Sequence, residues 1–311
     1  MRAVGRGFKS PIPNTNMTTP TNLPRLAVFI DAENVGNPSH LDLVFDKIAS
    51  DSLGTPVVKR VYGNPDLLRS KKWAAACKKH AIDPVQQDRF VSGKNSADVK
   101  IVVDAMHLRS RKGKGRIDVF CFVSSDTDFR PLVEYLEQIN RTVCGFGKAV
   151  TLPVLKEVFS GRFFAFEDLL EMRYQRIRDE AATILEGVES HSLGYAALAN
   201  KLRERLDETI VPSGFSPKVV LKDDPRFDVV QNGNAAKLSK QGLFSFVDRI
   251  IREELKDRPG WIPMTTLGVL VRKRIALPKS FRLLPVLKAA PSSFEMRSDG
   301  KGTHVRLAEN G

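Results

Sequence analysis

Residues 124–129 read "SSDTDF", two aspartates one residue apart directly after the apolar run "DVFCFV". Two further acids stand in comparable places. Asp31 ends the run "RLAVFID", and Asp98 follows Ser96 in the first turn of "NSADVKIVVDAMHLRSR". Carboxylates gathered at one point repel each other: two unit charges about 4 Å apart cost about 4 kcal/mol at an effective dielectric of 20. Either one of the set keeps its proton or a divalent cation neutralises it. Hard oxygen donors with little His or Cys nearby favour Mg2+ or Mn2+ over zinc. Such a cation activates a water and offsets charge on a phosphate. Each acid alone also has a plainer use. Asp31 can cap a turn, Asp126 can cap the following helix, and Asp98 and Asp128 can meet the dipole at a helix start. Asp104 can pair with Lys100 at i, i+4. What singles out Asp31, Asp98, Asp126 and Asp128 as the candidate metal set is that three separate segments each bring an acid.

Those acids need a scaffold that brings the segments together. Residues 25–170 alternate strand and helix signals. Strand character falls at 25–31, 55–63, 83–90, 116–125, 141–147 and 161–169, and helical spacing at 41–50, 66–82, 95–111 and 128–140. The alternation predicts an α/β fold, a parallel sheet with helices on both faces. Ligands of such sheets gather beyond the carboxyl ends of the strands, where Asp31 and Asp126 stand.

The second half changes character. Helices dominate, and two stretches, 193–239 and 259–307, resemble each other. Each opens with Gly and an aromatic (Gly194–Tyr195, Gly260–Trp261) and continues into a basic amphipathic helix. Each ends in a hairpin whose turn is marked by Asn232–Gly233 or Asp299–Gly300. Helices followed by a two-stranded wing predict small α+β winged helices, and a pattern seen twice counts for more than one instance. The expected organisation is a disordered basic arm over 1–24, the α/β domain over 25–170, a divergent winged helix over 171–239 and a winged helix over 240–311. One or two of the latter are expected.

Composition narrows the class. The chain has 311 residues, 42% apolar and 27% charged, an ordinary globular balance with room for two or three domains. No stretch reaches the roughly 18 apolar residues of a membrane span. The basic start has no apolar core or cleavage site of a signal peptide. Three widely spaced cysteines, Cys77, Cys121 and Cys144, predict reduced buried thiols in a cytoplasmic protein. The net charge of +13 is spread along the chain and suggests a polyanionic partner. Lys94 and Lys148 are placed to meet a phosphate near the acidic rim. Arg272, Lys273 and Arg274, within "VRKRIALPKSFR", and Lys301 in the second hairpin offer further contacts, which position a nucleic acid without reading its sequence.

Taken together, "FIDAENVG", "KNSADVKIVVDAM" and "FVSSDTDFRPLVEYL" strongly resemble the NYN domain, a branch of the PIN-like nucleases, here of its LabA-like kind. The C-terminal stretches resemble OST-HTH/LOTUS domains, winged-helix RNA-binding modules that accompany NYN domains. The resemblance implies a metal-dependent ribonuclease in which Asp31, Asp98 and Asp126 bind Mg2+ or Mn2+ and Asp128 is a fourth acid. Asn34 would steady the first loop or touch substrate, and Ser125 would hydrogen-bond within the cluster. The expected products carry 5′-phosphate and 3′-hydroxyl ends, and RNA rather than DNA rests on the resemblance alone. Two D-x-D enzymes fit less well. Haloacid-dehalogenase-like phosphatases carry the motif on the first strand, and D-x-D glycosyltransferases leave Asp31 and Asp98 unexplained. The serious alternative is a non-catalytic RNA- or DNA-binding regulator, or a module that binds a protein through its winged helices.

Overall fold

The run "RLAVFID" forms β1 (Arg25–Asp31), and Asp31 then caps a single helical turn, α1 (Ala32–Val35). In chain order there follow α2 (His40–Ser50), β2 (Thr55–Gly63), α3 (Pro65–Arg69), α4 (Lys71–His80), β3 (Asp83–Gln86) and α5 (Ser96–Arg109). Then come β4 (Val119–Val123), α6 (Arg130–Gln138), β5 (Thr142–Gly147), α7 (Pro153–Val158), β6 (Phe163–Ala165) and α8 (Phe166–Glu186). This computed structural model describes residues 23–86, 96–207, 210–212, 214–230, 232–277, 280–300 and 302–308. The chain divides into two compact units, Met1–Leu169 and Leu170–Gly311.

The six strands of the first unit form one parallel sheet in the order β3-β2-β1-β4-β5-β6. Both central strands are apolar on both faces, as a sheet covered by helices on both sides requires: Leu26, Ala27, Val28, Phe29 and Ile30 of β1 are buried, as are all five residues of β4. Ala27, Phe29, Tyr62, Phe120, Phe122 and Val143 join one core with Ile101, Ala105 and Leu108 of α5, Leu132, Val133 and Leu136 of α6, and Leu155 of α7. Leu26, Val28 and Ile30 alternate to the opposite face. The strand order runs outward from β1 through β2 to β3 and outward from β4 through β5 to β6. The β1–β4 pair is therefore the switch point, where crossovers diverge and leave a crevice.

Two expectations are corrected here. The helix read over 66–82 is two. Ser70 is extended (ψ 146°) and its Oγ accepts the N–H of Trp73, so it ends α3 and caps α4. The strand read over 161–169 is only three residues long, because α8 begins at Phe166. The aromatic run "RFFAF" has strand propensity, but Glu167 and Asp168 in the next turn favour a helix start. Cys77, Cys121 and Cys144 are free and buried. Among the described residues, no helix is long and apolar enough to cross a membrane.

The second unit repeats one topology. After α8 come β7 (Ser192–Gly194), α9 (Tyr195–Arg205), α10 (Lys218–Leu221), β8 (Phe227–Val230) and β9 (Ala235–Leu238). After α11 (Lys240–Lys256) come β10 (Ile262–Pro263), α12 (Met264–Arg274), α13 (Leu284–Ala289), β11 (Phe294–Asp299) and β12 (Gly302–Leu307). Each copy closes a three-stranded antiparallel sheet with its last strand in the middle, β7-β9-β8 and β10-β12-β11. Each has its own apolar core, one around Leu198, Leu202 and Ala236, the other around Leu267, Val271 and Val305.

Candidate active site

In the β1–β4 register Ile30 pairs with Val123, so Asp31 and the loop from Ser124 leave the sheet side by side. Asp31 is 2% exposed and its carboxylate is fully engaged. Oδ1 accepts the N–H groups of Glu33 (3.2 Å) and Asn34 (3.3 Å). Oδ2 accepts Asn34 Nδ2 at 2.6 Å and the Ser124 hydroxyl at 3.2 Å. Burial pushes the Asp31 carboxyl above its ordinary range, against the opposing pull of those donors. Asn34 thus steadies the first loop by gripping Asp31 directly.

The two serines divide their work by strand alternation. Ser124 is 6% exposed; it donates to Asp31 and accepts the Asp126 N–H at 3.1 Å, tying the two strand tips together. Ser125 points the other way, and its Oγ accepts the Lys148 N–H at 2.9 Å. The hydrogen bond within the acidic cluster that was expected of Ser125 is made by Ser124. Asp126 Oδ1 accepts the Asp128 N–H at 2.9 Å, closing a short turn over Thr127–Phe129. Phe129, 2% exposed, anchors that turn in the core against Phe122.

Asp98 stands in the first turn of α5. Its carboxyl is pushed up to about 6, first by burial and then by the negative charges of Asp31, Asp126, Asp128 and Glu33. The four acids singled out in the sequence therefore share one field. Glu33 is a fifth member that the sequence reading passed over, and Asn64 Nδ2 holds its Oε1 at 3.3 Å. The signal for Glu33 was its place two residues after Asp31. Asp104, two turns along α5 from Asp98, does other work. Burial pushes its carboxyl up, but hydrogen bonds from Lys100 and Tyr62 and the charges of Lys100 and Arg60 bring it below its ordinary value. It pins α5 to β2.

The donor chemistry of this rim fits a hard divalent cation: the acids supply oxygen alone, and their field raises Asp98. The oxygens are not drawn together as a cage, since among the described residues no group of three or more His, Cys, Asp or Glu side chains is placed to hold a metal ion. Asp31 and Asp126 also serve as turn caps, so the plainer use and the chemical one coexist at the same atoms.

The basic candidates scatter. Lys94 and Lys301 lie outside the described residues. Lys148 is exposed beside Ser125, and its charge reaches His40, whose ring burial keeps below its ordinary value. In the second unit Arg272 donates to the carbonyls of Leu277 (3.2 Å) and Phe281 (3.0 Å). Arg274 pairs with Glu253 at 2.7 Å and Glu254 at 3.4 Å. Both guanidiniums thus have partners within the fold, and all three of Arg272, Lys273 and Arg274 are exposed.

Comparison with known proteins assigns a family to the first unit alone. A search of curated proteins finds no match. Among solved structures, a Vibrio parahaemolyticus protein of unknown function aligns with 49% of this chain and 98% of its own at 20% identity and a TM-score of 0.37. The glycotransferase of kitacinnamycin aligns with 64% of this chain and 44% of its own at 15% identity and a TM-score of 0.24. The family model described as NYN domain matches residues 25–167, from the first residue of β1 to the start of α8. Residues 25–167 are an NYN domain, a member of a nuclease superfamily.

Proposed function

We propose that the protein is a metal-dependent ribonuclease of the LabA-like NYN kind. In this reading residues 171–239 and 240–311 are winged helices of the OST-HTH/LOTUS type that hold RNA. The observation that carries it is the gathering of acids from three chain segments at the carboxyl rim of the β1–β4 switch point. Asp31, Asp98, Asp126 and Asp128 would hold Mg2+ or Mn2+. The cation, when bound, supplies Lewis acidity, lowering the pKa of a water and offsetting charge on the scissile phosphate.

The chain's own residues supply the positioning. Asn34 Nδ2 and the Ser124 hydroxyl fix Asp31 through Oδ2, and the backbone N–H groups of Glu33 and Asn34 fix it through Oδ1, so it is preorganised. Asp98 holds a proton at its carboxyl below about pH 6 and is mostly ionised at pH 7. Lys148, exposed next to the Ser124–Ser125 loop, is placed to meet a phosphate of the substrate. RNA, single-stranded or structured, is the substrate class the family supports, with DNA as the lesser choice. The three buried free thiols suit the cytoplasm.

A second reading has its own observation. Asp31 is saturated by donors, and the described carboxylates form no assembled metal cage. A rim of that kind also suits a non-catalytic regulator that binds RNA or DNA, or a protein, through its second unit. The deciding experiment is cleavage of a labelled single-stranded RNA with Mn2+, Mg2+ or EDTA, with Asp126→Asn in parallel. Cleavage that needs the cation and vanishes in the variant supports the nuclease. Absence of cleavage, with salt-sensitive RNA binding retained by both proteins, supports the regulator.

A further inference from the structure

The two copies in the second unit share a scaffold but not a surface. In the first copy Ser192 pairs with Lys237, one residue before the Leu193–Ala236 pair. In the second, Ile262 pairs with Val305, so the residue before it, Trp261, lies beside Arg306. The adjoining hairpins match as well. Asp228 and Val230 oppose Lys237 and Ala235 in the first copy, and Glu295 and Arg297 oppose Arg306 and His304 in the second. Phe294 and Val305 alternate onto the other side, into the core. The same sheet face is therefore Ser192, Asp228, Val230, Ala235 and Lys237 in one copy, with Ala235 buried. In the other it is Trp261, Glu295, Arg297, His304 and Arg306. The fold tolerates either set, so folding does not require the aromatic and cationic one.

That second set is organised. The Arg297 guanidinium lies over the Trp261 indole at 4.5 Å from the ring centroid, and that of Arg306 at 4.9 Å. Arg306 is held by Glu295 Oε2, which accepts from its Nε at 2.9 Å and its Nη2 at 2.7 Å. His304 Nδ1 is 3.6 Å from an Asp299 oxygen. The Arg306 guanidinium and the His304 ring on this face thus have carboxylate partners, which weakens it as a bare phosphate clamp. What it presents is a cluster of flat groups, an indole and two guanidiniums, of the kind on which unpaired bases stack. Arg297, exposed at the edge of the cluster, adds attraction for the backbone of the same strand.

We propose that this face of the β10-β12-β11 sheet is a stacking platform for bases of single-stranded RNA, with Trp261 and Arg297 as its principal contacts. The assignment rests on reading the second unit as an RNA-binding one and names the surface and the form of RNA it takes.

The chain contains two tryptophans, and Trp73 is 1% exposed in the first unit, so Trp261 is the one a bound base can quench. Full-length protein in EDTA at low salt is titrated with oligouridylate and oligoadenylate. Intrinsic tryptophan emission is read beside the anisotropy of a labelled strand. Saturable quenching is expected, lost in Trp261→Phe. About tenfold weaker binding is expected in Trp261→Leu and in Arg297→Gln, the scale of one lost stacked base. Arg297→Gln changes an exposed side chain and leaves Trp261 in place, so it reads the face without endangering the fold. RNA binding with unchanged emission and undiminished affinity in Arg297→Gln would overturn the platform while leaving an RNA-binding unit. No RNA binding by the wild type would overturn both and leave the face to a protein partner.

Discussion

Asp98 binds its proton more tightly in the folded chain than in an unfolded one, because burial and four neighbouring acids push its carboxyl from 3.8 up to about 6. The stability linked to this group is fully present below pH 3.8 and is lost as the pH rises through about 6. Burial shifts Asp31 in the same direction. Asp98→Asn removes the repulsion, so in EDTA the variant is expected to melt above the wild type at pH 7. The gap should shrink as the pH falls toward 4. Thermal unfolding across that range checks it, and a variant that melts with or below the wild type at pH 7 would show that the acids do not share a field. Mg2+ or Mn2+ should raise the melting temperature of the wild type at pH 7 and not that of Asp98→Asn, since a ligand stabilises only the state that binds it. The serines give a second contrast. Ser124→Ala takes a donor from a buried carboxylate, a loss of about 1–3 kcal/mol, whereas Ser125→Ala removes an acceptor from an exposed amide and should cost less. Urea unfolding of the two variants ranks them. The dipeptide itself cannot reveal which serine faces Asp31, because that depends on the strand's phase against β1.

At the level of elements, the central strands and the helix carrying Asp98 were legible because their burial pattern is continuous: every residue of β4 is buried, and its sequence is an unbroken apolar run. Less legible were short elements whose ends depend on a single cap. Ser70 divides one apparent amphipathic helix, and the aromatic stretch before α8 is shared between a three-residue strand and a helix. The close approach of β5 to the active loop also left little trace in the sequence beyond a glycine. A Cβ placed on Gly147 would lie 2.7 Å from Ser125 Oγ, 2.9 Å from the Phe163 ring and 3.0 Å from the Ser124 carbonyl. Gly147→Ala must therefore push the Ser124–Ser125 loop away from β5, and overpacking of this kind costs about 1–3 kcal/mol. The variant is expected to fold with reduced stability and, on the proposed nuclease reading, to lose metal-dependent RNA cleavage out of proportion to that loss. Cleavage assayed well below its melting temperature tests this; full activity there would mean that the loop does not have to sit where Gly147 lets it.

On the scale of the whole molecule, the repeat in the second half was visible in the two hairpin turns, since turn chemistry is local; the glycine–aromatic pairs do not correspond, because Tyr195 begins α9 whereas Trp261 precedes β10. How the copies are tied together was not visible, because that depends on a side chain meeting backbone far away in sequence. His191, one of five scattered histidines without an assigned role in the sequence, is that side chain. It is 5% exposed and sits in a left-handed conformation with φ 49°. Its Nδ1 lies 3.1 Å from the Leu185 carbonyl oxygen at the end of α8, and its Nε2 lies 3.0 Å from the Ala276 carbonyl oxygen just after α12. The ring edge packs against Phe246 of α11. One imidazole thus spans from the first copy to the second, while Arg249 of α11 pairs with Glu186 at the end of α8. His191→Ala removes the imidazole that lies between the two carbonyls and opens space against Phe246, a destabilisation of about 1–3 kcal/mol at the scale of a buried hydrogen bond. His191→Asn should recover part of it, because asparagine tolerates positive φ and keeps one donor group. Urea unfolding of the full chain, followed by circular dichroism and by tryptophan emission in a Trp73→Phe background, where Trp261 is the remaining tryptophan, tests the bridge. If the Trp261 transition shifts to lower urea in His191→Ala and partly returns in His191→Asn, the copies stabilise each other through this residue. An unshifted transition would mean that each three-stranded module stands on its own core.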